Sequence, residues 1–360
     1  MPLSLDDLRR FAVARTLFPP TSLGKALERL AFVQADPIRA PARAQDLTLR
    51  HRVRHYRAGD LERRYRTLPV EEDFFVNYGF VSRQVQALMH PRTSAAGTPG
   101  GRRRTAALLD FVRVRGVVHP REVDAHFAHG SVTNYWGGSS SATTHLLEDM
   151  HFRGLLRVAG RDAGVRLYAV HAHGAGPTGP PDRDARLDRL VDTVVRVYAP
   201  LPRATLSWLV NRLRYAVPQW RRYLKPTLRR AVERLAHERI DGVDWFWPPD
   251  ERLPHQSAAE SVRLLTPFDP LVWDRRRFEL LWGWAYRFEA YTPAAKRSLG
   301  YYALPMLWRD QVIGWANVTI RSDQLAPTFG YIDGTPKDTR FIVERDAELE
   351  RLRLFLGKRA

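Results

Sequence analysis

Apolar residues recur at helical spacing from the start of the chain. Leu5, Leu8, Phe11 and Ala12 form a stripe over residues 4–16, with Ser4 placed as N-cap and Asp7 three residues on. Phe18-Pro19-Pro20 breaks that helix. Thr21 or Ser22 then caps a second, whose Leu23, Leu27 and Leu30 fall at i, i+4 and i+7. Residues 92–104, with Gly97, Pro99, Gly100, Gly101 and three consecutive arginines, read as a linker or basic loop. Beyond it, Ala106–Arg115 is helical, and His119-Pro120 opens a helix with Pro at N1 that runs through Val123 and Phe127 to Gly130. A further helix carries Leu146, Leu147 and Met150 and closes at Gly154. Two apolar runs, Leu155–Val158 and Val165–Val170, flank Gly160–Gly164 and predict a hairpin.

Helix, helix, helix, hairpin is the order of a winged helix. The order returns after the Gly/Pro-rich residues 173–181. Leu187–Tyr198 and Leu206–Leu213 come first, then a helix opened by Pro226, then the apolar run Ile240–Trp247. A third copy fits residues 1–90. From Ser261 the texture changes to alternation and aromatics. Val262–Leu265, Ala285–Tyr291, Tyr301–Trp308, Val312–Ile320 and Thr339–Glu344 read as strands of a small antiparallel sheet or barrel. Trp308–Gln311 makes a turn, and Leu349–Leu356 a closing helix stopped by Gly357.

Composition narrows the classes. At 360 residues and 44% hydrophobic content the chain folds, with room for two or three domains. Its net charge of +18 is mostly an Arg excess without a basic tail. That suits a polyanion, most simply nucleic acid; an Arg-biased genome would leave the same mark. The absence of cysteine excludes disulfides, thiolate zinc sites and cysteine nucleophiles. No apolar run reaches membrane-span length and no signal-peptide core is present, so a cytoplasmic, nucleoid-associated protein is expected. His126 with His129, and His171 with His173, lack an acidic partner at zinc-site spacing, so no metal is expected. Gly137-Gly138-Ser139-Ser140-Ser141 either offers backbone N–H groups to a phosphate or is a flexible loop with a serine N-cap.

One short stretch stands apart, Phe32-Val33-Gln34-Ala35-Asp36-Pro37-Ile38. Pro37 disfavours the α conformation at Asp36, and in an extended stretch Gln34 and Asp36 share a side. An amide and a carboxylate so placed can hold one water; equally, the stretch can be a helix-ending turn with a surface amide. Arg39 and Arg43 follow closely, and would keep Asp36 ionised if they lie near it. Residues 43–57, with Arg50 and Arg52, form either a basic recognition surface or a solvated helix face. Asp269, Trp273–Arg277, Lys296, Arg297, Tyr301 and Tyr302 form either a nucleic-acid face or an internal Asp–Arg network.

Val33–Ile38 with Ala42-Arg43-Ala44 resembles the active-site stretch of the YcaQ/AlkZ winged-helix DNA glycosylases. Leu265–Arg275, Tyr291–Arg297 and Gly300–Pro305 are similar to that family's C-terminal signatures. The resemblance implies an α+β fold of three tandem winged-helix domains (1–105, carrying the catalytic motif, 106–178 and 179–258) and a C-terminal β-barrel domain (259–360). It implies a DNA N-glycosylase that hydrolyses alkylated, N7-type purines and unhooks interstrand crosslinks, with Gln34 and Asp36 catalytic and no cofactor. Asp at the second position matches the YcaQ-like branch. The implied partner is double-stranded DNA with alkylated or crosslinked bases, bound by a monomer. Candidate DNA contacts are Arg39, Arg43, Arg50, Arg52, Ser139, Ser140, Arg275, Lys296 and Arg297. One departure concerns lesion preference: Asp73–Phe80 stands where such proteins often carry an aromatic-rich stretch with a histidine. A non-catalytic winged-helix regulator, which has no use for the Gln34/Asp36 pair, is the competing class. An RNA-binding module is a weaker third.

Overall fold

The computed structural model describes residues 3–93, 99–128, 130–133, 139–172, 179–252 and 260–358. Its contacts divide the chain into two compact units, one of Met1–Leu61, Val191–Val210 and Leu228–Ala360, the other of Glu62–Leu190 and Asn211–Thr227.

In the first unit, helix Leu5–Thr16 starts where the pattern predicts. Ser4 Oγ accepts from the Asp7 N–H at 3.2 Å while the Asp7 carboxylate accepts from the Ser4 N–H at 2.9 Å. Helix Leu23–Leu30 buries Leu23, Ala26, Leu27 and Leu30, and ends at Ala31 in the left-handed region (φ 57°). Strand Phe32–Gln34 follows at once. A second sheet pairs Ala236–Ile240 with Val243–Trp247, and the latter with Leu201–Pro202. The run read as one apolar stretch from Ile240 is thus half of a hairpin turned at Asp241-Gly242, both at positive φ (48° and 77°).

The C-terminal strands Val262–Leu264, Leu304–Trp308, Gln311–Arg321 and Gln324–Tyr331 lie in that order in one antiparallel sheet. Among the described residues the first and last strands do not pair, so the expected barrel is an open sheet. Gly330 is required here, because a Cβ on it would meet the Trp315 ring at 2.3 Å. Two expected strands are corrected. Ala285–Tyr291 is irregular, and Thr339–Glu344 is the start of helix Thr339–Leu356. That helix buries Phe341, Glu348, Leu352 and Phe355, a stripe at helical spacing that the shorter strand-like run concealed. Helix Arg275–Trp282 and strand Gln324–Tyr331 had no clear signal in the sequence.

The second unit holds a hairpin, Val70–Phe74 against Tyr78–Ser82, that three consecutive acidic residues disguise. Each is buried and neutralised. Glu71 takes a bidentate Arg157 at 2.7 and 3.0 Å, Glu72 takes Arg161 and the Tyr78 hydroxyl, and Asp73 takes Arg92 at 2.8 Å and His90 at 2.7 Å. Those partners hold Asp73 well below the usual carboxylate range, against the opposing effect of its burial. Next come helix Pro99–Arg115, strand Val117–Val118, helix Pro120–Phe127, helix Ala142–Arg153 and the hairpin Leu156–Asp162/Val165–Val170. The short early strand pairs with the last. The linker read over 92–104 is corrected in part: Arg102–Arg104 lie in the helix that begins at Pro99, while 94–98 fall outside the described residues. Residues 173–178 of the second linker also fall outside them.

Candidate active site

Strand Phe32–Gln34 ends on a side chain that is 8% exposed, and among the described residues the Gln34 Oε1 has no hydrogen-bond partner. A buried acceptor left open is costly unless something fills it. Two residues on, Asp36 is half-buried and held from both sides. Its Oδ1 accepts from the Ile38 N–H at 2.9 Å, the Asx turn that Pro37 favours, and its own N–H donates to Gln45 Oε1 at 3.3 Å. Gln45, on the buried helix Ala44–Leu49, was not singled out from the sequence.

The expectation that Arg39 and Arg43 would keep Asp36 ionised is corrected. Burial pushes the Asp36 carboxyl up from its ordinary value, only the Ile38 N–H acts against this, and Asp36 makes no ion pair among the described residues. A half-desolvated carboxylate with spare acceptor capacity is what a general base needs.

The C-terminal segments come to the same place. The charge of Asp36 reaches two tyrosines, Tyr291 and Tyr302, whose phenols are both pushed up, first by burial and then in part by that charge. Tyr302 is buried, with its hydroxyl 3.2 Å from Thr266 Oγ1. Tyr291 is 78% exposed and Tyr301 45% exposed. The loop bearing them is pinned by Glu289, whose carboxylate accepts from Ser298 Oγ and from the N–H groups of Ser298, Leu299 and Gly300. Burial opposes the charge on Glu289, but these donors outweigh it and keep the group below its ordinary value. Gly300, at φ +109°, is the residue the loop requires, since a Cβ there would lie 2.5 Å from Asn317. Tyr291 was quoted in the sequence only as part of a signature; its position at the head of Tyr291-Thr292-Pro293 was the available signal.

The candidate DNA contacts sort into three groups. Arg39 and Lys296 are exposed, and Arg43 is half-buried at the start of helix Ala44–Leu49. Arg297 donates to the Thr292 carbonyl and lies over the Tyr301 ring at 5.1 Å. Arg275 lies over Tyr286 at 4.7 Å, within electrostatic reach of Tyr302. Arg275 and Arg297 thus lie with the tyrosines of the C-terminal segments, while Arg39 and Arg43 follow Asp36 in the chain. Arg52 is corrected: it is 0% exposed, with both Nη atoms on Asp269 at 2.8 and 3.0 Å and further bonds to the Thr16 and Thr48 carbonyls. Arg50 is corrected likewise, being buried against Glu348 and the Leu264 carbonyl. Arg277 is enclosed by the carbonyls of Ala199, Pro200, Pro270 and Leu271. Asp269, Arg52 and Arg277 are therefore internal ties. Ser139 and Ser140 sit in a strand, Ser139–Ser141, paired with Ser131–Thr133, in the other unit. Gly137 and Gly138 lie outside the described residues, as do His129 and His173. Ser141 caps helix Ala142–Arg153 by accepting from the Thr144 N–H. No group of three metal-ligating side chains occurs among the described residues, and no helix among them is long and apolar enough to cross a membrane.

Against known proteins, the family described as DNA glycosylase AlkZ-like matches residues 27–352. Among solved structures, the DNA glycosylase AlkZ of Streptomyces sahachiroi is similar, with a TM-score of 0.62 at 16% identity, over 99% of this chain and 98% of that one. At that identity the likeness speaks to the fold, a mixture of helices and sheets.

Proposed function

We propose, since the chain belongs to the AlkZ-like DNA glycosylase family, that it hydrolyses the N-glycosidic bond of N7-alkylated purines in double-stranded DNA and unhooks N7-linked interstrand crosslinks. In this reading Gln34 and Asp36 carry the chemistry. The observation that supports it best is the placing of an open, buried amide oxygen on Gln34 two residues before a half-buried carboxylate that makes no ion pair among the described residues.

Alkylation at N7 makes the purine cationic, so it leaves as a neutral base without a general acid. The remaining work is at the sugar. An oxocarbenium-like C1′ develops, and a nearby carboxylate stabilises it, as carboxylates do in glycosidases. Gln34 Oε1 accepts one O–H of the attacking water and fixes its direction. The water oxygen bonds to C1′ as the C1′–N9 bond breaks, and its proton passes to Asp36. Tyr291 and Tyr301 offer faces on which exposed bases can stack, with Arg39, Arg275, Lys296 and Arg297 facing the backbone. Asp36 is reached from the surface, which suits a base that a crosslink prevents from swinging out. The order helix, strand, helix, helix, hairpin in 99–170 and again in 180–247 supports tandem winged helices, with a further one before them, as the DNA-binding frame.

The test is single-turnover incubation with duplex DNA holding one N7-methylguanine, or one N7-linked crosslink, followed by alkali. Strand breaks at the lesion are expected. Tight binding without abasic product would favour a non-catalytic DNA-binding protein instead.

A further inference from the structure

A second concavity, of about 410 Å³, is lined by the segment after helix Ala44–Leu49, by strand Val262–Leu264 and by the last helix. Neither Gln34 nor Asp36 lines it. Four guanidinium groups do: Arg50, Arg57, Arg263 and Arg351. The opposing charge is smaller. Glu348 is buried and accepts from Arg50, from Arg351 at 3.0 Å and from the Leu264 N–H at 2.9 Å, while Glu344 stands 3.9 Å from Arg351. The Arg57 side chain spends its bond on a carbonyl, that of Leu354. His51 is held neutral by its burial and by the neighbouring arginines, with Nε2 2.9 Å from the Leu264 carbonyl.

Arg263 is the residue out of balance. Its hydrogen bond is a long one, Nε to Ser261 Oγ at 3.4 Å, and it makes no ion pair among the described residues. Burial and the like charges of Arg52, Arg351 and Arg50 all act against its proton, and only Glu348 favours it. The Nε of Arg50 is also buried, without an acceptor among the described residues. Buried cations are kept when something pairs with them. Arg50 and Arg263 are withdrawn from water, with Glu348 the carboxylate both meet, so an anion entering the pocket offsets the positive charge, and the two charges of a phosphate monoester do so more than the one of a phosphodiester. The cavity lies in the size range of small-molecule sites. Beside the cations stands an aromatic wall, the Tyr56 and Phe355 rings stacked at 6.2 Å and 15°.

We propose that this pocket binds the dianionic head of a phosphate monoester, with Arg263 and Arg50 gripping its oxygens and the body attached to it lying at the exposed rim beside His55 and Arg57. Such a group comes from a free mononucleotide or from the 5′-phosphorylated end of a DNA strand.

The test measures binding by calorimetry and melting at constant ionic strength, with inorganic phosphate, deoxyadenosine 5′-monophosphate and deoxyadenosine. Both phosphates are expected to bind saturably and raise Tm, the nucleoside not. Arg263→Gln should weaken phosphate binding by about tenfold or more, and its unliganded Tm should hold or rise, because an unpaired buried charge has gone. A fall in Tm with phosphate binding unchanged would make Arg263 merely structural and overturn the proposal. So would the absence of saturable binding below about 10 mM. If Arg263→Gln fails to fold, Arg57→Gln at the exposed rim must show the weakening instead. Preference for a 5′-phosphorylated over a 5′-hydroxyl oligonucleotide assigns the DNA end. Equal binding of the two, with the mononucleotide still bound, assigns the free nucleotide. None of these readouts depends on base release.

Discussion

Replacing Asp36 by Asn isolates the role of one negative charge. Asn keeps the size and keeps an oxygen for the Ile38 N–H, so the Asx turn survives. It loses the base that takes the proton of water and the charge that stabilises the sugar cation. Removing such a group costs on the order of 10²–10⁴ in rate, which corresponds to about 2.7–5.4 kcal/mol of transition-state stabilisation. Stability should move the other way. The folded Asp36 carboxyl sits above its ordinary value because burial disfavours its ionised form. A raised carboxyl contributes stability below the unfolded value and loses it as pH rises through the folded one, so at neutral pH the ionised group is a net cost. Asp36→Asn should therefore melt no lower than wild type, or slightly higher. The same shift sets the acid limb of the pH profile, which should lie above the 3.8 of an ordinary Asp and vanish in the variant. The assay is single-turnover release of N7-methylguanine across pH, with melting and duplex affinity measured in parallel. Wild-type release by Asp36→Asn would remove this residue from the mechanism, whatever the melting shows.

Gln34→Leu should also slow release, by losing the water contact, while costing little stability because its Oε1 is unpaired; a large loss of Tm with normal release would contradict this. Asp269→Asn leaves the Arg52 guanidinium buried without a carboxylate, and should lower unfolding free energy by about 3–5 kcal/mol. A urea midpoint close to wild type would mean that the Thr16 and Thr48 carbonyls suffice. Tyr291→Ala and Tyr301→Ala remove exposed rings, so melting should hold while affinity for lesion DNA falls by about 1–3 kcal/mol per stacked base lost; unchanged affinity would refute the stacking role.

The amphipathic helices were legible because a stripe of Leu and Phe marks them whatever their neighbours are. Ser4 with Asp7, and Gly154 and Gly357 as stops, are local signals that no distant contact alters. What escaped the sequence was held by distant partners. Val70–Phe74 has three consecutive acidic residues, and its place in a buried hairpin becomes legible only once Arg92, Arg157 and Arg161 are seen to neutralise Asp73, Glu71 and Glu72. Thr339–Glu344 has strand-like alternation, yet Phe341 belongs to a stripe completed by Leu352 and Phe355. At the site, Gln34 and Asp36 could be named from spacing and resemblance. Gln45 could not, and Thr266 and Tyr302 were legible only within a signature or a candidate nucleic-acid face, because their roles beside Asp36 depend on which segments meet. The Asp241-Gly242 turn, by contrast, is a local signal within the sequence itself.

The same reasoning corrects what the net charge of +18 implies for binding. Many of these arginines are structural. Arg52, Arg92 and Arg277 are buried, and much of their hydrogen bonding goes to backbone carbonyls, which accept without supplying a formal charge. A protein can therefore be strongly basic by composition and still present few cations to a phosphate chain. The candidates proposed for this site are Arg39, Arg275, Lys296 and Arg297. If these four are the contacts, each at about 0.9, the logarithm of affinity should fall with the logarithm of salt with a slope of about −3.6. Filter binding to an unmodified duplex over a range of salt measures it. A slope steeper than about −8 would mean that phosphates are gripped across a far wider surface, and a nearly flat one that charge hardly contributes. Arg39→Gln and Lys296→Gln should each reduce the slope by about one, uniformly across sequences, while Arg52→Gln should unfold the protein before it touches the salt dependence.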